Sequence, residues 1–283
     1  AKGDASATID RYWDKVILDD AVTDPMELAV ANDGRVFFVE RGGAVKIWHP
    51  ESKRTIQAGF IEVYDELEDG LLGIALAPDF DATGHLYVFY APPDAEPRNR
   101  LSRFTMIGDA LDPDSERIVL EVATQRDECC HSGGSIAFDG AGNLFLSTGD
   151  NTSPFASDGY APIDERPGRS PFDAQKSSAN THDLRGKILR IHPEPDGRYT
   201  IPEGNLFPPD GSAGRAEIYV MGCRNPFRIS VDQRTGWLYW GDVGPDAGAP
   251  REGRGPAGHD EFNRAKTAGN YGWPYFIADN QCY

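Results

Sequence analysis

Ile136-Ala137-Phe138, a turn carrying Asp139, Gly140 and Gly142, and then Leu144-Phe145-Leu146-Ser147 form the stretch on which the reading of this chain depends. Two short apolar runs joined by an Asp/Gly turn predict a β-hairpin. The unit recurs as Leu28-Ala29-Val30 with Val36-Phe37-Phe38-Val39, Ile74-Ala75-Leu76 with Leu86-Tyr87-Val88-Phe89, and Ile229-Ser230-Val231 with Trp237-Leu238-Tyr239-Trp240. One hairpin repeated at intervals of several tens of residues predicts an all-β chain of propeller blades carrying loop insertions; a β-sandwich is the alternative. Ala44-Val45-Lys46-Ile47-Trp48 and Gly186-Lys187-Ile188-Leu189-Arg190-Ile191 supply outer strands. Residues 25–283 are assigned to the propeller and residues 1–24 to an N-terminal extension or outer strand.

Composition agrees with many short strands. The 283 residues include 31 Gly and 21 Pro, which punctuate the apolar runs and disfavour long helices. No stretch approaches the ~20 apolar residues of a membrane span. A formal charge of −17 with no basic stripe argues against nucleic acid as a partner. No Gly-x-Gly-x-x-Gly fingerprint follows a strand, so a nicotinamide dinucleotide is not expected. The start, Ala1-Lys2-Gly3-Asp4-Ala5, lacks the regions of a signal peptide, which fits a cytoplasmic protein or a cleaved mature form. The even count of four cysteines leans towards export.

The unusual chemistry gathers at Asp127-Glu128-Cys129-Cys130-His131-Ser132-Gly133-Gly134, immediately ahead of the third hairpin. Histidine is the side chain suited to move a proton near neutral pH, and two following glycines let backbone approach a ligand closely. By itself such a histidine is more often structural than catalytic. The segment from Asp150 to Asp183, rich in Ser, Pro, Asp and Asn, reads as an ordered excursion over the surface anchored by Phe155, Tyr160, Pro162, Pro171 and Phe172.

Four motifs in order carry a family resemblance: Gly70-Leu71-Leu72-Gly73-Ile74-Ala75-Leu76-Ala77-Pro78-Asp79-Phe80, His131 before Ser132-Gly133-Gly134, Gly222-Cys223-Arg224-Asn225-Pro226-Phe227-Arg228, and Gly269-Asn270-Tyr271-Gly272-Trp273-Pro274. From about Pro25 onward the chain resembles the soluble glucose/sorbosone (aldose sugar) dehydrogenases. The resemblance implies a six-bladed propeller of quinoprotein type that uses pyrroloquinoline quinone (PQQ) and calcium, in the periplasm or outside the cell. It implies that His131 is the general base for a sugar's anomeric hydroxyl during hydride transfer, with electrons leaving to a quinone or a cytochrome c. Arg224 and Asn225 match cofactor contacts, as do Glu68 and Asp69, although Glu68 stands where relatives carry an amide. Gly244 and Pro245 match a loop whose carbonyls hold calcium, a hard cation suited to oxygen ligands. Asp260, Glu261 and Tyr271 resemble a further calcium site.

Two features depart from that pattern. Only about four blades are visible, so the propeller is expected to be incomplete, a piece of a longer protein with further domains. The basic residues that grip the cofactor carboxylates in relatives lie in blades with no match here. Cys129 and Cys130 are also unfamiliar: they either close on each other or bridge to Cys223 across two blades, the second pairing being slightly preferred. Two other functions remain in view, a non-catalytic extracellular binding propeller and a calcium-dependent lactonase, which would need carboxylates clustered at the axis.

Overall fold

Each expected hairpin begins an antiparallel sheet in the computed structural model, which describes residues 15–155 and 157–283. Residues 1–14 of the expected N-terminal extension lie outside the described residues. The first blade runs β1 (Pro25–Val30), β2 (Val36–Glu40), β3 (Ala44–His49) and β4 (Arg54–Phe60). The second runs β5 (Leu71–Leu76), β6 (His85–Tyr90), β7 (Arg98–Ile107) and β8 (Ala110–Ala123). In the third, β9 (Gly133–Phe138), β10 (Leu144–Thr148) and β11 (Lys187–Pro193) carry the short β12 (Tyr199–Thr200) beside β11 and continue to β13 (Ile218–Met221). The fourth is β14 (Pro226–Val231), β15 (Leu238–Asp242) and β16 (Glu261–Ala265), and β17 (Gly269–Asn270) returns to pair in parallel with β13. The arrangement is all-β and propeller-like, with four blades.

Strand periodicity explains the apolar runs. Along β6, Leu86, Val88 and Tyr90 enter the layer between blades 1 and 2, and Tyr87 and Phe89 enter the layer between blades 2 and 3. A strand buried on both faces has no polar side to alternate with, so it reads as continuous hydrophobicity. A third layer joins Phe145, Ile188 and Val220 of blade 3 to Val231, Leu238 and Trp240 of blade 4. Full burial of such side chains contributes roughly 1.5–3 kcal/mol each. These layers, rather than the long loops, hold the blades together.

The first strands β1, β5, β9 and β14 meet at the axis. There Glu27 of β1 accepts from Ile74 N of β5 (3.1 Å) and Ile136 N of β9 (3.3 Å), and from the Ser135 hydroxyl of β9. Ser135 Oγ in turn accepts from Ile229 N of β14 (3.2 Å), and Arg228 of β14 donates to the Met26 carbonyl of β1. One carboxylate network therefore spans all four blades. Gly73 marks how close they come: a Cβ there would sit 1.9 Å from Gly134 O. The outer flanks of the first and last blades stay open, with Leu28 at 61%, Val30 at 63% and Phe262 at 96% exposure.

Two expectations meet the structure here. Of the expected anchors of the 150–183 excursion, Pro162 and Phe172 are buried while Phe155 and Tyr160 are exposed, and buried polar groups do the rest: Asp164 is clasped by Arg166 (Nε 2.7 Å, Nη2 2.7 Å), and the fully buried Lys187 donates to Ser177 O, Ser178 O and Arg185 O at 2.7–2.9 Å. Burial lowers the Lys187 pKa to about 8. The preferred inter-blade disulfide is corrected: Cys129 is bonded to Cys130, and Cys223 is a free thiol. Cys223 is packed into the apolar layer between blades 3 and 4, and that burial raises its pKa well above the usual thiol value.

Candidate active site

In an antiparallel hairpin the start of the first strand and the end of the second lie at the same rim. His131 and Ser132 precede β9 and Asp150 follows β10, while Arg224 and Asn225 precede β14 and Asp242 through Pro245 close β15. Blades 3 and 4 thus bring these loops together. A cavity is lined by His131, Asp150, Thr152, Ser153, Arg224, Pro245, Arg254, Trp273 and Tyr283, among others.

His131 is 4% exposed and adopts φ +64°, a left-handed backbone conformation that non-glycine residues rarely take. Its neighbours hold it there. His131 N donates to Glu68 Oε2 (2.6 Å), Ser132 Oγ donates to Asp69 Oδ1 (2.9 Å), and Gly133 N donates to Asn225 Oδ1 (3.1 Å). Gly149 permits the close approach, because a Cβ at that position would lie 2.0 Å from His131 O. The ring Nδ1 is 2.7 Å from Asp150 Oδ1.

Asp150 is completely buried and saturated with donors: Thr152 N reaches Oδ1 (2.9 Å) and Trp273 Nε1 reaches Oδ2 (2.7 Å). A carboxylate accepting from every neighbour takes the Nδ1 hydrogen of His131 as well, leaving Nε2 with its lone pair. That tautomer is the one a proton acceptor needs.

Glu68 and Asp69 therefore serve the histidine loop and are not among the cavity-lining residues. Burial raises the Asp69 pKa, opposed by Ser132 and the Arg126 cation. Arg224 is 5% exposed and donates from Nη1 to Val243 O (2.9 Å), with its guanidinium 5.8 Å from the Trp273 ring centre. It has no ion pair among the described residues. Asn225 faces the histidine loop through its side-chain oxygen, and its N donates to Asp242 Oδ1 (2.7 Å).

The residues matched to calcium divide. Gly244, Pro245, Glu261 and Tyr271 line an adjoining cavity with Arg224, Asp242 and Trp273. Asp260 lines neither cavity; its Oδ1 accepts from Gly244 N (2.9 Å). Glu261 is engaged by Ala278 N (2.6 Å) and Asn263 Nδ2 (3.0 Å), and the Tyr271 hydroxyl donates to Arg264 O (3.0 Å). Among the described residues, three His, Cys, Asp or Glu ligand atoms converge only at Glu68, Cys129 and Cys130.

Reading the sequence missed Asp150, Trp273 and Arg254 as site residues. A signal for the first was present: Gly149-Asp150 closes the second strand of blade 3 as Gly241-Asp242 closes that of blade 4. Trp273 stood inside a quoted motif. Nothing in the local sequence marked Arg254.

Comparison with known proteins places this geometry. The model of the Glucose / Sorbosone dehydrogenase family matches residues 22–282. Aldose sugar dehydrogenase YliI of Escherichia coli (strain K12) is 26% identical over 91% of this chain and 61% of its own length. Quinoprotein glucose dehydrogenase B of Acinetobacter calcoaceticus is 25% identical over 95% of this chain and 54% of its own. Among solved structures, a putative glucose dehydrogenase from a Thermus strain superposes with a TM-score of 0.70 at 28% identity, covering 93% of this chain and 68% of that one. The chain thus spans between half and two thirds of the length of the two curated relatives. With its propeller hairpins and its His131 rim, the chain belongs to the Glucose / Sorbosone dehydrogenase family.

Proposed function

We propose that this propeller is the site-bearing part of a PQQ- and calcium-dependent sugar dehydrogenase that oxidises an aldose at its anomeric carbon. The observation that carries the reading is the buried His131–Asp150 pair with Nε2 left free beside Arg224. In this reading Nε2 of His131 takes the anomeric hydroxyl proton while Asp150 keeps Nδ1 protonated and the ring oriented. The imidazolium so formed faces the Asp150 carboxylate, which offsets its charge.

The donor set suits a planar, multiply carboxylated quinone: Arg224 and Arg254 are guanidinium groups without ion pairs among the described residues, and the Tyr283 hydroxyl is buried and unpartnered. When bound, PQQ with calcium supplies the electrophile that accepts hydride. Arg224 would stabilise negative charge on the cofactor's oxygens, and the half-buried Gly244 and Pro245 would hold the metal through carbonyl oxygens, with Asp242 and Glu261 beside them. The Cys129–Cys130 bond agrees with the periplasm or the extracellular space, where disulfides persist. Names of relatives favour an aldose substrate, with a quinone or cytochrome c as electron acceptor (the acceptor following from the family reading alone).

The test is to add PQQ and calcium to the purified protein and to follow cofactor binding and reduction with a panel of aldoses. The parent binds and reduces; His131→Ala binds PQQ equally but turns over about 10²–10⁴-fold more slowly. A variant that reduces as fast as the parent removes His131 from its role, and a parent that neither binds nor reduces defeats the reading.

A further inference from the structure

Arg254 is a charged residue of the cavity that neither the family motifs nor the His131 loop accounts for. It sits on a tight turn in which Arg251 N donates to Gly255 O (3.0 Å), and Arg254 N (3.1 Å) and Gly255 N (3.1 Å) both donate to Arg251 O, so its backbone is held. Its side chain lines the same cavity as His131, Arg224 and Pro245. Nη1 is shielded from water yet meets no acceptor, and the Tyr283 hydroxyl beside it is in the same state. Such groups cost free energy unless something fills their valence.

The surroundings make that more informative. The chain carries 45 acidic residues against 28 basic ones, yet no described carboxylate pairs with Arg254 or with Arg224. Tyr283 packs edge-on against Trp273 (5.5 Å), itself bonded to Asp150, so the Tyr283 ring is tied to the residues that orient the histidine. Burial raises the Tyr283 pKa, and the positive charges of Arg254 and Arg224 oppose it.

We propose that Arg254 and Tyr283 form a carboxylate-binding wall of the His131 cavity: the planar guanidinium fork takes a carboxylate of the bound ligand, and the hydroxyl adds a third donor. A fork of parallel N–H groups matches carboxylate geometry. The inference rests on the reading of this cavity as the sugar dehydrogenase site. Two sources supply the chemistry there, a carboxylate of the quinone cofactor or the carboxylate of a sugar acid.

Titration of the parent and of Arg254→Gln with PQQ and calcium, read by quenching of tryptophan fluorescence, tests the first source. PQQ affinity is expected to fall by roughly 10- to 100-fold in Arg254→Gln, to fall less in Arg254→Lys, which keeps the charge but loses the fork, and to differ little between parent and variant for the methyl ester of PQQ. If the carboxylate is the sugar's, PQQ affinity holds and KM for glucuronate rises by a similar factor while KM for glucose does not. Arg254→Gln matching the parent in both measurements overturns the inference and leaves the dehydrogenase reading standing. A parent that binds no PQQ overturns both.

Discussion

The third and fourth blades close their second strand with the same dipeptide, Gly149-Asp150 and Gly241-Asp242, and put the two carboxylates to different use. Asp242 accepts from backbone, Asn225 N at 2.7 Å and Arg224 N at 3.3 Å, and so caps the loop that starts its own blade. Asp150 accepts from two side chains, His131 Nδ1 and Trp273 Nε1, as well as from Thr152 N. The repeat supplies a carboxylate acceptor at the rim of blades 3 and 4. In blade 3 the loop it would cap presents an imidazole instead of a backbone N–H, and a structural carboxylate becomes one that orients a base.

Replacing each by asparagine separates the two uses. Asp150→Asn turns an amide N–H₂ against one of the three donors at that position, and Asp242→Asn does the same against Arg224 N or Asn225 N, so each substitution is expected to cost about 1–3 kcal/mol of stability in urea denaturation. Activity splits them. Asp150→Asn no longer fixes the tautomer that leaves Nε2 free, and kcat is expected to fall by roughly 10²-fold or more with KM for the sugar little changed. Asp242→Asn is expected to cost turnover less than about tenfold. Equal losses of kcat would make Asp150 a scaffold residue like Asp242 and erase the distinction.

That contrast also shows what could be read in the chain. The middle hairpins were legible because their second strands are buried on both faces, which leaves an uninterrupted apolar run such as Leu86-Tyr87-Val88-Phe89 that no amphipathic helix would carry, and those of the first and last blades because they repeat the same strand–turn–strand unit. His131, Arg224 and Asn225 were legible because they precede first strands, where motif and repeat coincide. Asp150 follows a second strand at the head of a long polar segment and was read as the start of a surface loop, although its equivalent in blade 4 shared the same Gly-Asp. Trp273 and Arg254 are far from His131 in sequence: Trp273 reaches the site through the return of the chain beside blade 3, and Arg254 through the long connection between β15 and β16 of blade 4, neither of which local pattern encodes. Asp260 was legible as a neighbour of the Gly244-Pro245 loop, where its Oδ1 accepts from Gly244 N.

Glu27 extends the comparison to a carboxylate with no part in the site, and carries the smallest expected effect. It accepts from three donors on two other blades at the axis, but it is only half-buried and no side chain in the His131 cavity depends on it. Burial pushes its pKa up from 4.5 to about 7, outweighing Ser135, Arg228, Ile74 N and Ile136 N, which all favour the charged form. The sign of the linkage follows. Between pH 5 and 7 the folded protein holds a proton that the unfolded chain has already released, so stability declines as pH rises through that window and levels off above it. Because water reaches this group, the contribution is expected to lower Tm by only a few degrees, roughly 2–4 °C for each kcal/mol lost in a chain of this size. Glu27→Gln retains an acceptor for the two backbone donors and cannot ionise, so the Tm difference between pH 5.5 and 8 should shrink relative to the parent, with kcat at fixed pH within about twofold. An unchanged pH slope would mean that the axis carboxylate titrates as it does in the unfolded chain, and that its four-blade network holds an ionised carboxylate throughout this pH range.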